Sequence, residues 1–282
     1  MQGKTCLVTG ASSGIGAETA LGLSRLGARV GLVGRDRERT EAAAAGIRAE
    51  TGGQVDVFVA DLSSQAEIRR LAAEMLGLYP RLDVLVNNAG AIFDKRTLTV
   101  DRRERTWALD HLAYVQLTLA LLDRLKASAP ARIVNLSSAA HTRGRIALDD
   151  LDAARSFGGM KTYSQAKLGN VLFTYALARR LAGSGVTVNA VHPGVVSSGF
   201  AMNTGGALGF LWSLIRPFLI STEDGARTSL HVATATELDG VTGRYFARSR
   251  ETASSALSHD RDLQERVWAA SLQQLGLADG TA

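Results

Sequence analysis

The sequence predicts an α/β protein: one doubly wound domain whose parallel sheet of about seven strands is covered by helices on both faces. Three observations carry this. Short β-branched runs alternate with longer alanine- and leucine-rich stretches. A glycine-rich turn joins the first strand-like run to the first helical one. Small and polar turn residues then recur at the ends of successive runs. Strand and helix alternating at this spacing require right-handed crossovers over a parallel sheet.

The elements follow in order. Residues 5–9, 29–33, 55–59 and 83–86 read as four buried strands. Residues 132–136 and 186–191 read as a fifth and sixth, and 243–246 as a seventh. Between them, 17–26, 37–50, 66–76 and 103–126 carry helical patterns. The four prolines, at 80, 130, 193 and 217, each sit near an expected boundary. No linker, repeat or low-complexity segment divides residues 1–282, and that length suits one large domain.

Bulk composition narrows the function classes. Hydrophobic residues at 46% and charged residues at 21% describe an ordinary soluble globular chain. The net charge of +5 comes from 32 basic and 27 acidic residues, and the basic ones are dispersed. The densest charged stretch, Asp101-Arg-Arg-Glu-Arg105, alternates in sign and reads as a solvated helix face, not a nucleic-acid surface. Cys6 is the only cysteine, which excludes an intrachain disulfide, and it reads as a small core residue. No signal peptide is expected, because strand-like sequence starts at Lys4 with no charged leader and no apolar h-region before it. The apolar run 205–220 is short and broken by Arg216 and Pro217. A soluble, cytoplasmic protein without stable membrane insertion is the expectation.

The chemistry-bearing residues cluster at strand ends. Thr9-Gly-Ala-Ser-Ser-Gly-Ile-Gly16 follows the first strand, and Gly10, Gly14 and Gly16 permit a tight turn and close approach of a pyrophosphate to a helix N-terminus. Arg35 directly follows the second strand, where arginine suits the 2′-phosphate of NADP and an acidic residue would suit NAD. Asp36 either points at the ribose and reverses that preference or caps the next helix. Asp61 after the third strand either accepts from an adenine amino group or caps the helix near Ser63. Asn87-Asn-Ala-Gly90 ends the fourth strand with residues that let the chain turn against a ligand. Ser137 and Ser138 follow the fifth, either to donate to a substrate carbonyl or to form the turn. His192-Pro-Gly-Val-Val-Ser-Ser198 follows the sixth, and His192 has no histidine or cysteine at metal-ligand spacing, so no metal is expected.

Tyr163 and Lys167 stand four apart, on one face of a helix. An ammonium beside a phenol favours the phenolate; at ~4 Å and an effective dielectric of ~20 the interaction is about 4 kcal/mol before desolvation opposes it. A tyrosine so placed can exchange a proton near neutral pH.

Taken in combination and order, these motifs identify the chain as a member of the short-chain dehydrogenase/reductase family over essentially its whole length, with the Rossmann fold that implies. It is most similar to the branch of retinol dehydrogenases and protochlorophyllide reductases, through Arg132-Ile-Val-Asn-Leu-Ser-Ser-Ala-Ala-His141, Ser164-Gln-Ala-Lys-Leu-Gly-Asn-Val-Leu-Phe-Thr174, His192-Pro-Gly-Val-Val196, Arg216-Pro-Phe and Ser221-Thr-Glu-Asp-Gly-Ala226. The separation of Ser138 from Tyr163 matches that branch's inserted loop.

The resemblance implies an NADP(H)-dependent oxidoreductase in which Tyr163 is the general acid/base, Lys167 lowers its pKa and holds the nicotinamide ribose, and Ser138 polarises the carbonyl. NADP(H), in preference to NAD(H), would be held by Gly10, Ser12, Ser13, Gly14, Ile15, Gly16, Arg35, Asp61, Leu62, Asn88, Ala89, Gly90, Tyr163, Lys167, Pro193, Gly194, Val196 and Ser198. Two positions depart from the family. Asp110 stands where the family has a catalytic asparagine that serves a proton relay mainly through its main-chain carbonyl; its carboxylate would raise the relay's proton affinity or pair with Lys167. Ser198 replaces a threonine and keeps the hydroxyl. The segment 197–220, with Phe200, Met202, Leu208, Phe210, Leu211, Trp212 and Ile215, reads as a lid over a lipophilic aldehyde, ketone or alcohol of retinoid or steroid type, or simply as a cover for the core. A homo-oligomer packed through the helices bearing Asp110 and Tyr163 is left open. The alternative is a regulator that binds NADPH without turnover: Asp110 favours it, while retention of tyrosine, lysine and serine together opposes it.

Overall fold

A computed structural model of the protein describes residues 1–194 and 221–278. Among the described residues, seven strands pair in parallel: β1 (Thr5–Thr9), β2 (Arg29–Gly34), β3 (Val55–Val59), β4 (Val84–Asn87), β5 (Ala131–Leu136), β6 (Val186–His192) and β7 (Tyr245–Ala247). They run in the order β3-β2-β1-β4-β5-β6-β7, so the winding direction reverses between β1 and β4. Ligands of open α/β sheets bind outside the carboxyl ends of the strands at such a reversal. The expected seven strands are therefore present. An eighth, β8 (Arg250–Glu251), pairs antiparallel with β7 at the edge; two residues carry too little pattern to be read from sequence.

Helices cover both faces. On one side lie α1 (Gly14–Arg25), α2 (Arg37–Thr51) and α7 (Thr222–Thr234), which bury Leu23, Ile47 and Val232 against Val8, Val30 and Val86 of the sheet. On the other lie α3 (Gln65–Leu78), α5 (Ala113–Ala127) and α6 (Gly159–Arg180), whose Met75, Leu121 and Phe173 share a core with Leu7, Leu85 and Ile133. Alternate side chains of each central strand enter opposite cores, which is why those strands are apolar on both faces at their middle positions. Cys6 is fully buried in the first core, as its neighbours in sequence suggested.

The region expected as one helix over 103–126 is more varied. A three-residue α4 (Arg105–Trp107) leads into a π-helical turn (Ala108–Leu112) and then into α5. The solvated helix face expected at Asp101–Arg105 is not found. Glu104 is fully buried and caps α4 by accepting from the amides of Thr106 and Trp107. Asp101 accepts from the Gln65 amide at the start of α3, and Arg103 pairs with Asp152 at 3.0 Å. These charges are spent on a turn and on neighbouring elements.

A C-terminal helix, α8 (Arg261–Leu275), begins at Asp260, whose carboxylate accepts from the Leu263 amide at 3.1 Å. Leu263 and Val267 pack on Leu168 and Leu172 of α6. Trp268 stacks on Phe173 with centroids 5.5 Å apart, and Gln274 accepts from the Trp107 indole at 2.7 Å. The helix thus lies across the outer face of the elements that carry Asp110 and Tyr163.

Candidate active site

The first loop closes tightly on the fourth strand's end. Gly10 has φ +66°, and a Cβ there would come within 2.8 Å of the Ala89 Cα; one at Gly16 would come within 2.4 Å of the Gly10 carbonyl oxygen. The Thr9 hydroxyl accepts from the amides of Asn88 and Ala89 at 2.9 and 3.0 Å. Asn88 returns its side-chain amide to the carbonyl of Thr9 at 2.7 Å. The two loops flanking the reversal are thereby locked together. Ser12 and Ile15 lie in the same turn, and Ser13 begins α1 without a side-chain cap on the helix's first amides, which leaves a helix N-terminus suited to an anion.

The other expected cofactor positions fall along the same edge. Arg35 is exposed beyond β2, while the Asp36 carboxylate turns back to accept from the Arg39 amide at 2.9 Å and caps α2. Asp61 accepts from the Ser63 amide and hydroxyl at 2.9 and 2.7 Å, forming with buried Leu62 the turn after β3. Pro193 and Gly194 follow β6, and Gly194 has φ +94°. Val196, Ser198 and the segment 197–220 lie outside the described residues. A glycine-walled turn and an uncapped helix start together fit the pyrophosphate of a dinucleotide.

Tyr163, Lys167, Ser138 and Asp110 converge beside this edge. Tyr163 and Lys167 occupy consecutive turns of α6, both buried, and the Tyr163 hydroxyl is hydrogen-bonded with Ser138. The Lys167 ammonium lies 5.5 Å from the Tyr163 ring centroid, 3.4 Å from the Leu136 carbonyl and 3.3 Å from Asp110 Oδ2. Asp110 Oδ1 accepts from the Ala91 amide at 2.9 Å. A Cβ at Gly90 would stand 2.8 Å from Asp110 Oδ2 and 3.2 Å from the lysine nitrogen, so glycine there makes room for the pair. Ser137 has a different job from its neighbour: its hydroxyl donates to the Lys167 carbonyl at 2.8 Å and holds α6 against β5.

The electrostatics correct one expectation. Lys167 was expected to lower the Tyr163 pKa, yet burial pushes this phenol up, the nearby Asp110 charge adds to the rise, and only the Ser138 hydrogen bond opposes it. The reason is geometric. The lysine is engaged by Asp110, one of the two fates foreseen for that carboxylate. Burial in turn pushes Asp110 up to about 6, even against the pull of Lys167. A phenol held protonated, hydrogen-bonded to a serine hydroxyl and facing a ligand edge can donate a proton to a carbonyl oxygen.

Behind this cluster runs a polar ladder that sequence reasoning missed. Asn87 donates to Asn135 at 2.9 Å, Asn135 donates to Thr174 at 3.0 Å, and Thr174 donates to the Asn170 carbonyl at 2.7 Å. The Asn170 side chain donates to the main-chain carbonyls of Asp110 and Leu136 at 2.8 and 3.1 Å. A signal was available: Lys167, Asn170 and Thr174 lie three and four apart, a polar stripe on an otherwise buried helix.

A mostly parallel sheet with its winding reversal beside a tyrosine, a lysine and a serine defines a dinucleotide-dependent oxidoreductase. The chain belongs to the short-chain dehydrogenase/reductase family, whose members act on CH–OH and C=O groups: the family profile described as short chain dehydrogenase matches residues 4–207. It falls in the retinol dehydrogenase branch. Mouse (Mus musculus) Retinol dehydrogenase 12 is 44% identical over 276 residues, covering 98% of this chain and 87% of its own. Human (Homo sapiens) Retinol dehydrogenase 13 is 43% identical over 286 residues, covering 98% and 85%. Among solved structures, an uncharacterized protein from Mycobacterium Paratuberculosis superposes with a TM-score of 0.81 at 34% identity, covering 98% of this chain and 94% of that one. A short chain dehydrogenase from Burkholderia cenocepacia J2315 in complex with NADP gives 0.71 at 29% identity, covering 87% and 96%.

Proposed function

We propose that the protein is an NADP(H)-dependent oxidoreductase that interconverts a lipophilic aldehyde or ketone, of retinoid or steroid type, with its alcohol. The observation that carries this is the convergence of Tyr163, Ser138 and Lys167 at the sheet's reversal edge. Bound there, the nicotinamide would supply or accept the hydride. Ser138 orients the substrate oxygen, and Tyr163 gives it the proton during reduction and removes it during oxidation. Lys167 holds the ribose beside the phenol, and Asp110 sets how much of the lysine's charge the phenol feels. Gly10, Ser12, Ser13, Gly14, Ile15, Gly16, Asp61, Leu62, Asn88, Ala89, Gly90, Pro193 and Gly194 line the dinucleotide groove.

Arg35 supports NADP(H), because Asp36 is occupied in capping α2 and leaves the arginine as the charged group offered to the 2′ position. The names of the relatives and the apolar sequence between residues 200 and 215 support a lipophilic substrate. No helix among the described residues is long and apolar enough to cross a membrane; a cytoplasmic setting is part of this proposal.

The test is kinetic. Purified protein is assayed with NADPH and with NADH on a panel running from short polar ketones to retinal and steroid ketones. Highest kcat/KM is expected with NADPH and the large apolar carbonyls. Arg35→Asp should lower NADPH selectivity by about 10- to 100-fold, the worth of a charge-assisted phosphate contact. Preference for NADH, or for small polar carbonyls, would overturn the respective half of this proposal.

A further inference from the structure

Two histidines hold the two polar atoms of one peptide bond, the Ser138–Ala139 peptide at the mouth of the site. After β5 the chain enters a 3₁₀ turn (Ala139–Arg143). Side chains three apart eclipse in such a turn, and His141 folds back over Ser138: its Nδ1 lies 2.7 Å from the Ser138 main-chain oxygen. A carbonyl only accepts, so Nδ1 carries the proton. Nε2 then presents a lone pair, and it accepts from the Ser255 amide at 3.0 Å. The ring is buried and leans on Tyr245 of β7, with centroids 4.8 Å apart. Both bonds require the neutral Nδ1–H tautomer.

His192, the last residue of β6, serves the other end of the peptide. Its Nδ1 accepts from the Ala139 amide at 3.3 Å and from the Gly194 amide at 3.3 Å. Two donors on one nitrogen require that nitrogen to be unprotonated, which puts the proton of neutral His192 on Nε2. The two imidazoles therefore use opposite tautomers, one to donate to the carbonyl and one to accept from the amide. Burial holds both below the usual imidazole range, His192 at about 4 with His141 and Arg248 adding to the fall. Among the described residues, Tyr245 of β7 lies against His141, and Arg248 beyond it acts on His192.

We propose that His141 and His192 are positioning residues for Ser138: together they fix the Ser138–Ala139 peptide so that the serine hydroxyl stays on Tyr163, and His192 ties the same peptide to the Pro193-Gly194 turn. This rests on Ser138 being the hydroxyl that holds the substrate oxygen, whereas the tautomers and the amide bond do not. The arrangement gives the histidine of the His-Pro-Gly motif a task that neither metal binding nor packing supplies.

The test has a spectroscopic arm and a kinetic arm. In histidine-selective ¹⁵N spectra at neutral pH, His141 should appear as the Nδ1–H tautomer and His192 as Nε2–H, each assigned by loss of its signals in the variants below. The reverse tautomer at either residue would overturn the clamp. Hydrogen exchange of the Ala139 amide needs no substrate and should accelerate about tenfold in His192→Ala; an unchanged rate would also overturn it. In the reduction of a lipophilic aldehyde by NADPH, His141→Ala and His192→Ala should each lower kcat about tenfold, the first with the NADPH KM unchanged. His192→Asn, whose carboxamide oxygen can accept, and His141→Asn, whose carboxamide nitrogen can donate, should recover most of the loss. Correct tautomers with kcat within twofold of wild type in both alanine variants would refute the positioning role. A wild type with no turnover on any carbonyl would instead refute the oxidoreductase proposal.

Discussion

Asp110 is the residue whose chemistry most distinguishes this site. It stands where the family resemblance implies an asparagine, and its carboxylate is fully buried and 3.3 Å from the Lys167 ammonium. Removing the charge while keeping the shape should return the lysine's field to the phenol. In Asp110→Asn, the pH limb of kcat for alcohol oxidation should move toward lower pH by about one unit. A limb that stays in place would take Asp110 out of the mechanism. Stability should report the same group. The Asp110 carboxyl binds its proton more tightly folded, at about 6, than at its ordinary 3.8, so its contribution is fully present below about pH 4 and is lost as pH rises through about 6. Between pH ~4 and ~7, wild type should therefore lose up to about 3 kcal/mol relative to Asp110→Asn. Urea titrations of both proteins across that range check the slope. At this scale the sequence was informative about which residues meet, since Tyr163, Lys167, Ser138 and Asp110 do converge. It was uninformative about which partner Lys167 chooses. That choice depends on a distance of a few ångströms between α6 and the π turn, which no local pattern encodes.

Elements were legible where their residues repeat. The central strands announced themselves because both faces are buried and their middle positions, such as Cys6-Leu7-Val8 and Ile133-Val134, are apolar. Helix α8 was equally legible in principle: Leu263, Val267, Trp268, Ser271, Leu272 and Leu275 form a buried stripe at helical spacing. The π turn was not. Its register follows from a tertiary contact, the Asn170 amide donating to the Asp110 carbonyl and drawing it from the regular ladder. Helix α8 also offers the clearest stability test. Trp268 is buried, stacked on Phe173 and covered by Arg180 at 4.0 Å. Trp268→Ala should destabilise the protein by about 3–5 kcal/mol, measured by denaturant titration, and Asp260→Ala at the helix start by about 1 kcal/mol. A tryptophan variant within 1 kcal/mol of wild type would mean that α8 is not held as described.

For the whole molecule, the sheet order places every motif at one edge, and the C-terminal helix closes another face. The helices bearing Asp110 and Tyr163 are the ones through which an oligomer was left open by sequence. Part of that surface is covered by α8, where Trp107, His111 and Phe173 are partnered by Gln274, Ser271 and Trp268. Association through the part that α8 covers would have to displace a helix anchored by a buried tryptophan. Light scattering of the full chain should accordingly give the mass of one chain at micromolar concentration. A dimer whose cross-links map to α5 and α6 would contradict this packing.

The phenol on α6 as proton donor and acceptor is the claim on which the functional account turns. NADPH consumption with a lipophilic aldehyde, compared between wild type and Tyr163→Phe, tests it most directly. We expect kcat to fall by about 100- to 10,000-fold while NADPH still binds. A phenylalanine variant that turns over within tenfold of wild type would contradict it.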